Sequence, residues 1–129
     1  MPTASVLVVD DDPILLDVVC RALRDQGYQA QGLEGGGEAL RRLRQAPVDI
    51  LITDILMPDV DGIELIGHAR RLSPAIKILA ITGRGQLRVL NLLDLAERIG
   101  ADRTLAKPFT TEQLMAALEA LTASDSEKA

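Results

Sequence analysis

Five times along the chain, a short run rich in apolar or β-branched residues gives way to a longer stretch whose apolar residues recur at helical spacing. That alternation specifies an α/β fold in which each strand leads into a covering helix. The strand runs are Val6–Val9, a weaker one at Tyr28–Leu33, Asp49–Thr53, Ala75–Ile81 and Arg103–Ala106. The first and third read as continuous apolar runs, the pattern of central strands covered on both faces, so a doubly wound parallel sheet follows. Helices are expected between Pro13 and Gly27, then at about Glu38–Gln45, Ile63–Leu72, Gln86–Ile99 and Thr111–Thr122. In the first, Ile14, Leu15, Val18, Val19, Ala22 and Leu23 share one side of the helical wheel, and Asp17, Arg21 and Arg24 take the other. Pro13 suits the first turn of that helix and Gly27 its end. A length of 129 residues is one domain, expected over residues 1–123, with 124–129 as a polar, frayed tail.

Composition narrows the class. Hydrophobic residues make up 47% of the chain and charged residues 26%, which supports a buried core and excludes disordered and fibrous classes. With 19 Asp and Glu against 14 Lys and Arg, the net charge is −5. That balance, without a basic run, argues against a general binder of nucleic acid or anionic membrane, and favours a cation or a basic protein face. No apolar run reaches the length of a membrane span, and Met1–Ser5 lacks the basic-then-apolar order of a secretory signal. The single cysteine, Cys20, has no internal disulfide partner and suits a reducing cytoplasm.

In an open parallel sheet, chemistry gathers at the carboxyl ends of the strands. There the first strand offers Asp10-Asp11-Asp12, the third Asp54, the fourth Thr82, and the fifth Lys107 followed by Pro108. Carboxylates at the ends of neighbouring strands repel one another unless a cation intervenes. Mg²⁺ suits such a cluster, since it prefers oxygen ligands and takes one or two carboxylates together with waters and phosphate oxygens. This points to phosphoryl chemistry. Asp54 can be the nucleophile of an aspartyl phosphate, Lys107 a compact positive charge, and Thr82 a hydroxyl donor, with room beside it at Gly83. Simpler readings stand alongside. Asp10 to Asp12 before Pro13 also reads as a helix cap with a negative first turn, and Asp12 is better placed as cap than as ligand. His68 reads as a surface residue near Arg71, Cys20 as a buried-edge thiol, and Gly35-Gly36-Gly37 as a flexible helix start rather than a nucleotide loop.

Together the segments Val8-Val9-Asp10-Asp11-Asp12-Pro13, Thr53-Asp54-Ile55-Leu56-Met57-Pro58 with Asp61-Gly62, Ile81-Thr82-Gly83 and Lys107-Pro108-Phe109 resemble the receiver domains of two-component response regulators. The resemblance spans almost the whole chain. It implies a flavodoxin-like sheet of strand order 2-1-3-4-5, with Asp54 as phosphoacceptor. It further implies a metal site, for Mg²⁺ or Mn²⁺, made by Asp10, Asp11, Asp54 and the Leu56 backbone carbonyl, in which Asp11 is a direct ligand and Asp10 a water-mediated one. By the same resemblance Thr82 is the conformational switch, Lys107 the partner of the phosphoryl group and carboxylates, and Lys107–Pro108 a cis peptide bond.

Three features depart from the family pattern. Thr104 stands where receivers usually carry an aromatic residue; the Thr82 to Lys107 interval is long and contains Arg84; and position 56, two after the acceptor, is an apolar Leu. On the expected fourth helix, Leu87 and Leu90 project to the side of Asn91, Asp94 and Arg98, where exposed leucines can mark a docking face; local packing of Leu87 is the plainer alternative. With 20 residues after Phe109, the expectation is a stand-alone cytoplasmic receiver, monomeric or weakly dimeric. It would take phosphate from a histidine kinase or phosphotransfer protein and signal through a downstream protein, with no direct nucleic-acid or membrane contact. Its chemistry would be limited to its own phosphotransfer and dephosphorylation. The rivals are a phosphate-independent interaction module, an Asp-nucleophile phosphatase of the haloacid-dehalogenase type using Asp10-Asp11-Asp12, and, less favoured, a flavodoxin-like FMN protein.

Overall fold

Alternate residues of the strand Ser5–Val9 (β1) feed opposite faces of a sheet: Val6 and Val8 join one core, Leu7 and Val9 the other. The same two-residue period governs Ile50–Asp54 (β3) and Lys77–Gly83 (β4), which is why continuous apolar runs are compatible with two separate cores. The computed structural model describes residues 4–55, 62–83, 98 and 100–128. Its remaining elements are the helices Pro13–Asp25 (α1), Gly36–Gln45 (α2), Gly62–Leu72 (α3) and Thr111–Lys128 (α4), and the strands Gln29–Leu33 (β2) and Arg103–Lys107 (β5). All five strands pair in parallel in the order β2-β1-β3-β4-β5, the doubly wound arrangement expected.

On one face, α1 and α4 set Leu16, Val19, Leu23, Leu114, Leu118 and Leu121 against Val8, Ile52 and Leu79. On the other, α2 and α3 set Ala39, Leu43, Leu65, Ile66 and Ala69 against Leu7, Leu51 and Ile78. Each fully buried Leu or Ile contributes about 1.5–3 kcal/mol relative to exposure. No described helix is long and apolar enough to cross a membrane.

Local signals account for the ends of α1. The Asp12 carboxylate accepts from Ile14 N at 3.0 Å and Leu15 N at 3.4 Å, so Asp12 is the N-cap, ahead of Pro13 in the first turn. At the other end Gly27 takes φ +96°, and Tyr28 N and Gly27 N donate to Leu23 O and Arg24 O, both at 3.0 Å, closing a Schellman turn. The buried stripe differs from the expected apolar arc. Leu16, Val19, Cys20 and Leu23 face the sheet, whereas Ile14 is 75% and Val18 54% exposed. A helix lying on a sheet buries a stripe spaced i, i+3, i+4, i+7, and Ile14 and Val18 fall outside it.

Other boundaries shift for plain reasons. β2 is a genuine strand whose weak pattern reflects its place at the sheet edge, where Gln29 and Gln31 are exposed and Arg24 Nη2 covers the Ala30 carbonyl at 2.8 Å. α2 begins at Gly36, so the glycine triplet supplies its cap and first turn. α4 continues to Lys128 instead of ending at Thr122 before a frayed tail, because neither Gly nor Pro follows Thr110 to stop it. Apart from Arg98, the expected helix Gln86–Ile99, with Leu87 and Leu90, lies outside the described residues, as do Arg84 and Leu56.

Candidate functional site

Because β1, β3 and β5 run parallel, their last residues and the turns after them emerge on one edge of the sheet. Val9 registers with Thr53, Asp54 with Ile81, and Gly83 with Lys107. Asp10, Asp11 and Asp54 each bring a carboxylate oxygen within 4.8 Å of the others. Asp10 is 3% and Asp54 7% exposed, while Asp11 is open to solvent.

Lys107 reaches into this cluster from β5. Its Nζ donates to Asp10 Oδ2 at 2.7 Å and to Asp54 Oδ2 at 3.1 Å. Burial alone would lower the Lys107 pKa, but the hydrogen bond to Asp10 and the charges of Asp54 and Asp10 outweigh it and hold the ammonium above the ordinary lysine value. Asp10 is committed on both oxygens, since Oδ1 accepts from Asp12 N at 2.9 Å. Asp11 is the exposed carboxylate of the three. Among the described residues the three carboxylates meet one lysine ammonium, and the donors they offer are all hard oxygens. A divalent ion of the Mg²⁺ type fits that charge and that chemistry. Asp10, Asp11 and Asp54 are the residues that could hold it.

The remaining expected site residues fall on the same edge in part. Thr82 lies in β4 opposite Ala106, and Gly83 opposite Lys107; the Thr82 side chain is outside the described residues. The Lys107–Pro108 bond is cis, and Phe109 packs against the core beneath α1 and α4. Thr104 is half-buried on β5 opposite Ala80. His68 is half-buried, with Nδ1 3.1 Å from Arg71 Nη2, and Cys20 is a buried thiol whose pKa is raised by that burial. One feature escaped the sequence reading. Thr110 Oγ1 accepts from Gln113 N at 3.0 Å while Gln113 Oε1 accepts from Thr110 N at 2.8 Å, a capping box that starts α4 three residues after Lys107. The signal was present as Thr-x-x-Gln ahead of an apolar run.

Comparison with known proteins agrees with this geometry. The response regulator receiver domain family matches residues 6–119. The response regulator receiver protein CpdR of Brucella abortus is 35% identical over 114 residues, covering 88% of this chain and 92% of that protein. The transcriptional regulatory protein TrcR of Mycobacterium tuberculosis is 36% identical over 118 residues, covering 90% of this chain and 44% of that protein. The chain spans about half the length of most of the curated relatives it matches. Among solved structures, a response regulator protein from Burkholderia pseudomallei, crystallised with a phosphorylated aspartic acid, calcium ion and citrate, superposes with a TM-score of 0.81 at 28% identity. That match covers 98% of this chain and 73% of the other. The chain belongs to the response regulator receiver domain family, which sets aside the phosphatase and FMN-protein readings.

Proposed function

We propose that the protein accepts a phosphoryl group on Asp54 from a histidine kinase or histidine phosphotransfer protein, with Mg²⁺ or Mn²⁺ held by Asp11 and Asp54, and signals by altered protein contacts. The observation that carries this is the double contact of Lys107 Nζ with Asp10 and Asp54 beside the exposed Asp11. An Asp54 carboxylate oxygen attacks the phosphorus of the donor phosphohistidine, the new O–P bond forms as the N–P bond breaks, and the imidazole leaves with the electron pair. Lys107 holds the attacking carboxylate in place and meets the charge on the transferred group, while the bound ion would neutralise the equatorial phosphoryl oxygens. Exposed Ile14 and Val18, on the first turns of α1 just past Asp12, supply apolar surface for the donor beside the pocket. The free, buried Cys20 suits a protein working in the reducing cytoplasm.

Thr104 favours a second reading, in which the pocket binds an ion but partner contacts ignore phosphate, because a small residue stands where an aromatic one would couple to Thr82. Intact-protein mass after incubation with acetyl phosphate tests acceptance, and partner affinity compared with and without phosphorylation separates the two readings. The acceptor reading requires one added phosphoryl group that depends on Mg²⁺ and is lost in Asp54→Asn; an unchanged mass supports the phosphate-independent module.

A further inference from the structure

The peptide unit that carries Asp54 has two close neighbours to which phosphoacceptance alone gives no part. The register between β1 and β3 ends at the pair Val9 and Thr53, so no β1 residue stands opposite Asp54 in that ladder. Thr53 is fully buried, and its hydroxyl donates to the Asp54 carbonyl oxygen at 2.9 Å. From above, the first residue of α3 descends onto the same stretch of backbone. Gly62 N donates to Ile55 O at 2.8 Å, and a Cβ at Gly62 would lie 2.5 Å from Ile55 Cα and closer still to the Asp54 carbonyl oxygen. Both obstructing atoms are backbone, so neither can swing aside as a flexible side chain could.

We propose that Thr53 and Gly62 are positioning residues for Asp54: the hydroxyl of one and the missing side chain of the other seat the acceptor's peptide unit and so aim its carboxylate. Placement matters because the attacking oxygen must stand about 3–3.5 Å from phosphorus and in line, and an error of about 1 Å costs about a hundredfold in rate. Loss of the Thr53 hydroxyl leaves β3 paired with β1 and β4 through its apolar residues, so the strand survives while its last residue loses a restraint. Both residues act only through Asp54, and the assignment therefore rests on the acceptor reading above.

The test is the initial rate of acetyl phosphate labelling at saturating Mg²⁺, followed by intact mass and expressed per folded molecule, in wild type, Thr53→Val, Thr53→Ser, Gly62→Ala and Gly67→Ala. Thr53→Val, which keeps the shape and removes the donor, should label about tenfold more slowly, and Thr53→Ser should recover to within about twofold of wild type. Gly62→Ala should fall further. Gly67→Ala should match wild type, because a Cβ there meets only Arg71 Nη1 at 3.7 Å. If Thr53→Val lowers the melting temperature but labels at the wild-type rate, Thr53 is merely structural and the proposal is overturned. Should Gly62→Ala not fold, the Thr53→Val and Thr53→Ser pair decides alone. Absence of label in the wild type contradicts the acceptor reading and this assignment with it, whereas a labelled wild type with an unaffected Thr53→Val contradicts only the assignment.

Discussion

Lys107 Nζ and Asp10 Oδ2 lie 2.7 Å apart across the carboxyl edge of the sheet, joining the end of β5 to the turn that follows β1. Asp10 is almost wholly buried. Removing Lys107 therefore strands a buried carboxylate beside Asp54 instead of merely deleting a surface charge.

Lys107→Met should destabilise the protein by about 1–3 kcal/mol near neutral pH, read as a lower urea midpoint without Mg²⁺. The effect has a definite pH dependence. The folded Lys107 holds its proton above the ordinary lysine pKa, so at alkaline pH the unfolded chain binds fewer protons than the native one and stability falls as pH rises. The gap between wild type and Lys107→Met should be full below the ordinary lysine pKa, near 10, and narrow as pH rises above it through the folded value. A gap that widens over that range would contradict the pairing.

Asp11→Asn should have opposite effects with and without the ion. In chelator, removing one of three mutually repelling carboxylates should raise stability by about 1 kcal/mol or leave it unchanged. With Mg²⁺ at about a hundred times its dissociation constant, wild type should gain about 2.7 kcal/mol, and Asp11→Asn should lose most of that gain. Thermal unfolding in chelator and in Mg²⁺ measures both arms.

Two glycines should respond oppositely to alanine. Gly67 lies inside α3, where an added Cβ would make only an ordinary contact with Arg71 Nη1 at 3.7 Å, so Gly67→Ala should stabilise by about 0.5–1 kcal/mol. Gly27 sits at φ +96° in the turn that ends α1, and Gly27→Ala should destabilise by about 1 kcal/mol or more. Denaturant midpoints of the two variants provide the comparison.

The parts of this structure that were legible in the sequence are those in which a residue's chemistry and its place at a strand end coincide. Asp10, Asp54 and Lys107 each follow or close a recognisable apolar run, so parallel topology was enough to bring them together. The helical wheel groups Ile14 and Val18 with Val19 and Leu23, but a wheel shows only that residues share an arc, not which part of it the sheet covers. The extension of α4 past Thr122 was hidden by polar composition, although no breaker was present to end the helix. The close approach of Gly62 to the Asp54 peptide belongs to tertiary geometry. A glycine ahead of a helix reads the same whether or not another backbone lies against it.

The most direct test of the central claim is to locate the phosphoryl group. Wild-type protein labelled with acetyl phosphate and Mg²⁺ is reduced with borohydride, which converts an aspartyl phosphate to homoserine, then digested and sequenced by tandem mass spectrometry. Homoserine at position 54, absent when Mg²⁺ or acetyl phosphate is omitted, is the predicted result; unmodified Asp54 in a labelled sample, or homoserine at position 10 or 11, would contradict the account.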